Sequence, residues 1–182
     1  FLFRRTTISG VMTQTVLVTG GTGFLGSYVA AELLAAGHEV VAYDRSTDDR
    51  ILSKLGVADE VRIRRGDVSE ATAVLRAVRE TGATHIVHLA ALLTNAAREN
   101  PRSALQVNTV GTNNVFEAAR TLDDQVERVA WASSAAVYAP PHNYEGAVDE
   151  SDLVYPDTLY GATKTYNEHQ ARVYHEDYGI SH

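Results

Sequence analysis

Apolar positions along this chain follow two rhythms that alternate. Short β-branched runs read as buried strands. Between them lie longer stretches whose apolar residues recur three and four apart, the period of a helix. The first run is Thr15 to Val18, and Phe24 to Ala36 follows as an amphipathic helix closed by Gly37. Val40 to Tyr43 is a second strand, ended by Asp44. A third lies within Val57 to Val68, carried by Val61 and Ile63 and ending in Gly66-Asp67-Val68. Glu70 to Glu80 places Ala71, Val74, Leu75 and Val78 on one helical face, and Thr84 to Ala91 is a fourth strand. Pro101 fits the first position of a long helix to Leu122. Val126 to Ser133 is a fifth strand, and Leu159 to Tyr178 is a last helix capped by Gly179. Between them, Pro140 to Asp157 holds three of the four prolines and reads as a loop or lid.

Strands that alternate with helices predict an α/β fold, a doubly wound parallel sheet of about five strands (Rossmann-like). The length, 182 residues, allows one domain, and 45% apolar residues supply a substantial core. A net charge of −7 weighs against non-specific nucleic-acid binding. No apolar run is long enough to span a membrane. The absence of cysteine excludes disulfides, thiolate metal sites and cysteine nucleophiles, and suits a cytoplasmic protein. The chain begins with Phe1, and Met12 stands where a natural start would fit. Residues 1–12 are expected to be an extension, disordered or translated from upstream, with a short targeting arm as the alternative. Residues 13–182 form the folded domain.

The chemistry starts at the first strand-to-helix turn, T-G-G-T-G-F-L-G from Thr19 to Gly26. Gly20 allows a sharp turn, Gly23 lets a pyrophosphate approach the backbone, and Gly26 lets the helix pack close to the strand. The helix N-terminus then offers unpaired N–H groups to phosphates. Asp44, at the end of strand two, is placed to accept hydrogen bonds from an adenosine ribose. Asp67 ends strand three, where open α/β sheets bind ligands; its alternative is to cap the next helix, with Ser69 as competitor. Ala90 and Ala91 are small enough for a flat cofactor to lie against them. His85 and His88 point to opposite faces of a strand and make poor metal partners, so no metal site is expected. Asn108 falls mid-helix among apolar residues, where structural bridging and a functional role compete evenly.

Strand five delivers Ser133 and Ser134 to the same sheet edge, and Tyr160 and Lys164 lie one turn apart on the last helix. A lysine so placed, beside a cationic nicotinamide, favours a phenolate. A tyrosine tuned in this way serves as general base or acid for an alcohol oxidised by hydride transfer.

Together these pieces resemble the NAD-dependent epimerase/dehydratase family of extended short-chain dehydrogenases/reductases. The matching segments are Thr19 to Gly26, Asp44, Gly66-Asp67-Val68, His88 to Ala91, Asn108 with Gly111-Thr112, Ser133 to Tyr138, and Tyr160 with Lys164. The resemblance implies Ser134, Tyr160 and Lys164 as catalytic residues and NAD as cofactor. It places the phosphates at Gly20, Gly23, Phe24, Leu25 and Gly26. It makes Asp44, Arg45, Asp67, Val68, Leu89, Ala90, Ala91, Asn108 and Ser133 further cofactor contacts, Asp44 at the adenosine ribose. Lys164 also binds the nicotinamide ribose, and Tyr160 is a further cofactor contact. Asp44 implies NAD; Arg45 beside it is placed to hold the 2′-phosphate of NADP, the alternative.

The family's dehydratases carry acids where this chain has Ala135 and Ala136, so dehydration is disfavoured. The expected function is an NAD-dependent epimerase or dehydrogenase acting on a nucleotide sugar. The alternatives are a dehydrogenase of a smaller hydroxyl compound, such as an amino or sugar acid, and a non-catalytic NAD-binding module. Family members continue into a C-terminal substrate lobe that is absent here. The chain is therefore expected to be the N-terminal part of a longer protein or a truncated product, with strand five an exposed edge unless something covers it, and little or no turnover alone. The resemblance also implies a homodimer through the helices at 101–122 and 159–178.

Overall fold

A computed structural model describes residues 13–138 and 146–182. The expected extension, residues 1–12, and the 140–145 part of the expected lid lie outside them. Five strands form one parallel sheet: β1 (Thr15–Thr19), β2 (Glu39–Asp44), β3 (Val61–Arg65), β4 (His85–His88) and β5 (Arg128–Trp131). Their order is β3-β2-β1-β4-β5. The chain reverses its direction of winding between β1 and β4, which opens a crevice at the C-terminal ends of those strands.

Helices cover the two faces unequally. α3 (Ala71–Thr81), α6 (Gly111–Thr121) and α7 (Leu159–Tyr178) enclose the larger core, with Leu17, Val41, Ile86, Val115, Phe116 and Val129 at its centre. α1 (Phe24–Ala35) and α2 (Arg50–Lys54) cover a smaller core around Val16, Val18, Val40, Ala42 and Leu52. The expected amphipathicity of α1 does not hold. Phe24, Leu25 and Tyr28 are exposed, while its buried residues are Gly26, Ser27 and Ala30. Small residues face inward in its first turns, where the helix lies close to the glycine turn, while Val29, Leu33 and Leu34 pack partly buried on the smaller core.

The third, fourth and fifth strands are shorter than the sequence predicts, while β1 and β2 run slightly longer. Residues 58–60 form a 3₁₀ turn before β3. Ala90 and Ala91 lie in the loop after β4, not in the strand. α2 and α4 (Thr94–Glu99) are short helices with no predicted counterpart. The helix predicted from Pro101 is continuous but not uniform. α5 (Pro101–Ala104) passes into a π-helical turn, Leu105–Val110, before α6. Asn108 sits in that turn, and its carbonyl accepts from Thr112 Oγ1 (2.7 Å) and Asn167 Nδ2 (2.8 Å). Residues 146–158 form turns and extended segments.

β5 lies at the sheet edge but is not bare. Ile180 is buried, and Val129 N–H donates to the Ser181 carbonyl at 2.9 Å. The expectation of an exposed edge is thus corrected at this point: α7 ends on the left-handed Gly179 (φ 69°), which turns the last residues back along β5.

Candidate active site

One cleft of about 470 Å³ runs across the C-terminal ends of the strands. At its left end the backbone of Gly20 takes φ +68°, a conformation other residues rarely adopt. Gly20 N–H donates to the Tyr43 carbonyl (2.9 Å) and Gly23 N–H to the Gly20 carbonyl (3.0 Å). A Cβ on Gly26 would stand 2.1 Å from the Gly20 carbonyl oxygen. No side chain fits there, so the helix N-terminus stays in contact with the turn.

Asp44 stitches this turn to β2. Its carboxylate accepts from Thr22 N–H (3.3 Å) and Ser46 N–H (3.0 Å). A carboxylate has about four acceptor positions, so capacity remains for ribose hydroxyls. Asp67 caps no helix: it accepts from Ser69 N–H (2.9 Å) and Oγ (2.8 Å), while Glu70 stands at the start of α3. Arg45 reaches across to Asp67 at 4.0 Å. Beneath them lies Tyr43, a wall that sequence reading missed. It is 1% exposed, and its hydroxyl donates to the Asp67 carbonyl (3.1 Å). Burial pushes this phenol up to about 12. A Cβ on Gly66 would meet the Tyr43 ring at 2.3 Å, so a glycine closing a strand was the available signal.

The floor is a buried hydrogen-bonded row. Thr19 Oγ1 accepts from the N–H groups of Leu89 (3.1 Å) and Ala90 (3.2 Å) and gives its own proton to His88 Nδ1 (2.7 Å). The His88 ring proton therefore sits on Nε2 and goes to Thr112 Oγ1 (3.0 Å). Burial, and then the Lys164 charge, lower His88 to about 3 and keep it neutral. This histidine supports the floor; among the described residues no group of three or more His, Cys, Asp or Glu could hold a metal ion.

Asn108 does not line the cleft. Its Oδ1 accepts from Leu92 N–H (2.7 Å), and its Nδ2 donates to the Leu92 carbonyl (2.9 Å) and Thr163 Oγ1 (3.2 Å). The bridging alternative is the one observed: Asn108 fixes the loop after β4, whose Leu89, Ala90 and Ala91 do line the cleft. Leu92, Leu93 and Val107 join them, and nothing in their sequence marked them.

At the right end stand Ser133, Tyr160 and Lys164. Lys164 is 5% exposed and donates to the Ala132 carbonyl at 2.7 Å. Burial lowers its ammonium to about 8. Its Nζ lies 5.8 Å from the centre of the Tyr160 ring, over its face. Ser134 is half-buried beside the cleft, not on its lining. Its oxygen accepts from Ala136 N–H (3.1 Å) and caps a 3₁₀ turn, Ala135–Val137. Its own hydroxyl proton remains for another acceptor. Gly161 seats α7 on that turn, for a Cβ there would stand 2.0 Å from the Ala136 carbonyl oxygen.

These features fit a dinucleotide. The glycine turn is a cradle that any Cβ would fill, and the middle of the cleft is walled by small and apolar residues. A buried lysine keeps N–H groups free at the far end.

A family model described as the NAD dependent epimerase/dehydratase family matches residues 16–182. UDP-glucuronate 4-epimerase 4 of Arabidopsis thaliana is 33% identical over 98% of the chain and 41% of its own length. Among solved structures, the UDP-glucose 4-epimerase of Thermus thermophilus, in complex with NAD, superposes with a TM-score of 0.80. It is 34% identical, over 91% of this chain and 52% of that one. A holo L-threonine dehydrogenase from Cupriavidus necator reaches 0.82 at 26% identity, over 92% and 52%. The chain thus spans about two fifths to half of the length of these relatives.

Proposed function

The chain belongs to the NAD dependent epimerase/dehydratase family, and from that premise we propose that it is the NAD-binding part of an epimerase or dehydrogenase acting on a nucleotide sugar. The observation that carries the proposal is the single cleft joining the glycine turn to Tyr160 and Lys164. Gly20, Gly23 and Gly26 would admit the pyrophosphate, with Phe24 and Leu25 beside it. Asp44 would accept from the adenosine ribose, with Arg45, Asp67 and Val68 around the base. Lys164 would donate to the nicotinamide ribose. When bound, NAD supplies a two-electron acceptor.

The residues themselves handle the proton. Tyr160 takes it from a substrate hydroxyl and returns it, the nearby lysine ammonium favouring the phenolate during transfer. Ser134 donates a hydrogen bond to the same substrate oxygen. Ala135 and Ala136 offer no acid or base for eliminating water, which supports epimerisation or simple oxidation over dehydration. The UDP-sugar epimerases among the relatives support the substrate class. Turnover by this chain alone is expected to be slight, because among the described residues little covers the substrate side of Ser133 and Tyr160. A homodimer would use the helical segments 101–122 and 159–178, whose outer sides expose Leu105, Val110, Tyr166 and Val173.

A second reading, a dehydrogenase of a small hydroxyl compound, is favoured by the L-threonine dehydrogenase likeness. Calorimetric titration with NAD and NADP is the first test. Binding of NAD in preference is expected. Preference for NADP would move the ribose contact from Asp44 to Arg45, and no binding would defeat the proposal. NADH accumulating with substrate would favour the dehydrogenase; unchanged net redox state would favour the epimerase. Tyr160→Phe is expected to lower any turnover at least about 100-fold. If the variant retains full function, the chain is a non-catalytic NAD-binding module.

A further inference from the structure

Two side chains on one face of α7 hold consecutive residues at the end of β5. Lys164 takes the Ala132 carbonyl at 2.7 Å, and Glu168, one turn later, accepts from Ser133 Oγ at 2.5 Å. Ser133 lines the cleft and Ser134 follows it directly. From the sheet, Ala132 N–H also donates to the His88 carbonyl, at a long 3.4 Å. We propose that Glu168 is a positioning residue: through Ser133 it sets the strand end that presents Ser134 and the nicotinamide side of the cleft. The proposal rests on the cofactor reading given above.

The two tethers are not redundant. Lys164 faces the cleft, so a bound ribose competes for its ammonium hydrogens. Glu168 does not line the cleft, and its bond to Ser133 survives when the lysine turns to a ligand. The bond also fixes the direction of the Ser133 hydroxyl. With its proton committed to a carboxylate, Ser133 presents only acceptor lone pairs to the cleft. A hydrogen bond to an ionised carboxylate is roughly twice as strong as a neutral one, which suits a tether at a half-open edge. Downstream, Gly161 packs against Ala136, so Ser134 stands between two fixed points. Removing Glu168 frees the upstream one.

Trp131, the chain's single tryptophan, ends β5 two residues before Ser133 and reports on the segment directly. The test compares the wild-type chain with Glu168→Ala, Glu168→Gln, Ser133→Ala and the Ser133→Ala/Glu168→Ala double variant. NADH binding is read by energy transfer from Trp131, ADP binding by calorimetry, and the unliganded state by acrylamide quenching of Trp131. Glu168→Ala is expected to weaken NADH about tenfold while ADP changes less than about twofold, since ADP uses only the glycine-turn end. Ser133→Ala should match it, and the double variant should lose no more than either alone. Glu168→Gln, which keeps an acceptor, should recover most of the affinity.

Unchanged NADH binding in Glu168→Ala, additive losses in the double variant, or an equal loss for ADP would each overturn the proposal. If the wild-type chain binds neither ligand, the cofactor reading has failed, and quenching alone decides the tether. Faster quenching in Glu168→Ala and Ser133→Ala upholds it; rates equal to wild type refute it.

Discussion

The two ends of the cleft are built by different means. The glycine-turn end is made of backbone. Gly20, Gly21 and Gly26 leave no room for a Cβ, and the turn is bonded to β2 through Tyr43 and Asp44. It follows β1, the central strand of the sheet. The Ser133–Tyr160 end is made of side chains. It hangs on β5, the edge strand, and is held by Lys164, Glu168 and the close seat of Gly161. Backbone close approach gives a site that forms whenever the sheet forms. Side-chain tethers give one that can be set separately, at the cost of dependence on each tether.

Adding one methyl group at each end sharpens the contrast. Gly26→Ala drives a Cβ to 2.1 Å from the Gly20 carbonyl and 2.8 Å from Gly21 Cα, both backbone atoms. It is expected to cost about 3 kcal/mol or more. That lowers Tm by about 6 °C or more, and ADP and NAD binding go together. Gly161→Ala makes an equally close contact with the Ala136 carbonyl, at 2.0 Å. The 3₁₀ turn there lies at the edge and can yield. About 1–3 kcal/mol is expected, with ADP binding retained and NAD weakened. If the two variants lose ADP equally, the ends are not independent, and the comparison fails.

This division also explains what was legible in the sequence. The glycine turn, Asp44 and the strand–helix order could be read because backbone constraints select residue types that stand out. The parallel, doubly wound sheet followed from the same alternation. Tyr43 went unnoticed because its role depends on burial under Asp67, a contact across neighbouring strands. Asn108 was legible as an oddity, but only the π-helical turn and the Leu92 loop decide that it bridges. Glu168 carries no local signal at all: its partner, Ser133, is thirty-five positions away. α1 misled for a related reason, since its first turns face inward with Gly26, Ser27 and Ala30 and only Val29, Leu33 and Leu34 pack as larger apolar residues.

Titration separates the ends next. Lys164 is lowered from 10.5 to about 8 by burial, so between those values the unfolded chain holds a proton that the folded chain has released. Stability therefore rises as pH increases from 8 to 10.5. The penalty of the buried ammonium is fully present below 8. Lys164→Met should flatten that rise in Tm. Because the chain has only two lysines, Lys54 and Lys164, methyl-labelled lysine resonances can follow each directly. The Lys164 resonance is expected to titrate near 8. His88 acts on the acid side: lowered to about 3, it withholds a proton the unfolded chain accepts, so stability is lost as pH falls from 6.5 toward 3.

The smallest effect belongs to Arg45, and it tests the glycine-turn end where side chains do appear. Its guanidinium lies 4.0 Å from Asp67, with 64% of the side chain exposed. Exposed pairs of this kind contribute little, so Arg45→Ala should change stability by no more than about 0.5 kcal/mol. NAD affinity should move less than about threefold, because the proposed ribose acceptor is Asp44, already fixed by two backbone N–H groups. NADP is the sensitive probe. With Arg45 removed, nothing at that position offsets the Asp44 charge facing a 2′-phosphate, so residual NADP binding should fall further than NAD binding does. A large loss of NAD affinity would instead mean that a side chain, and not the backbone turn, governs this end of the cleft, and the contrast between the two ends would collapse.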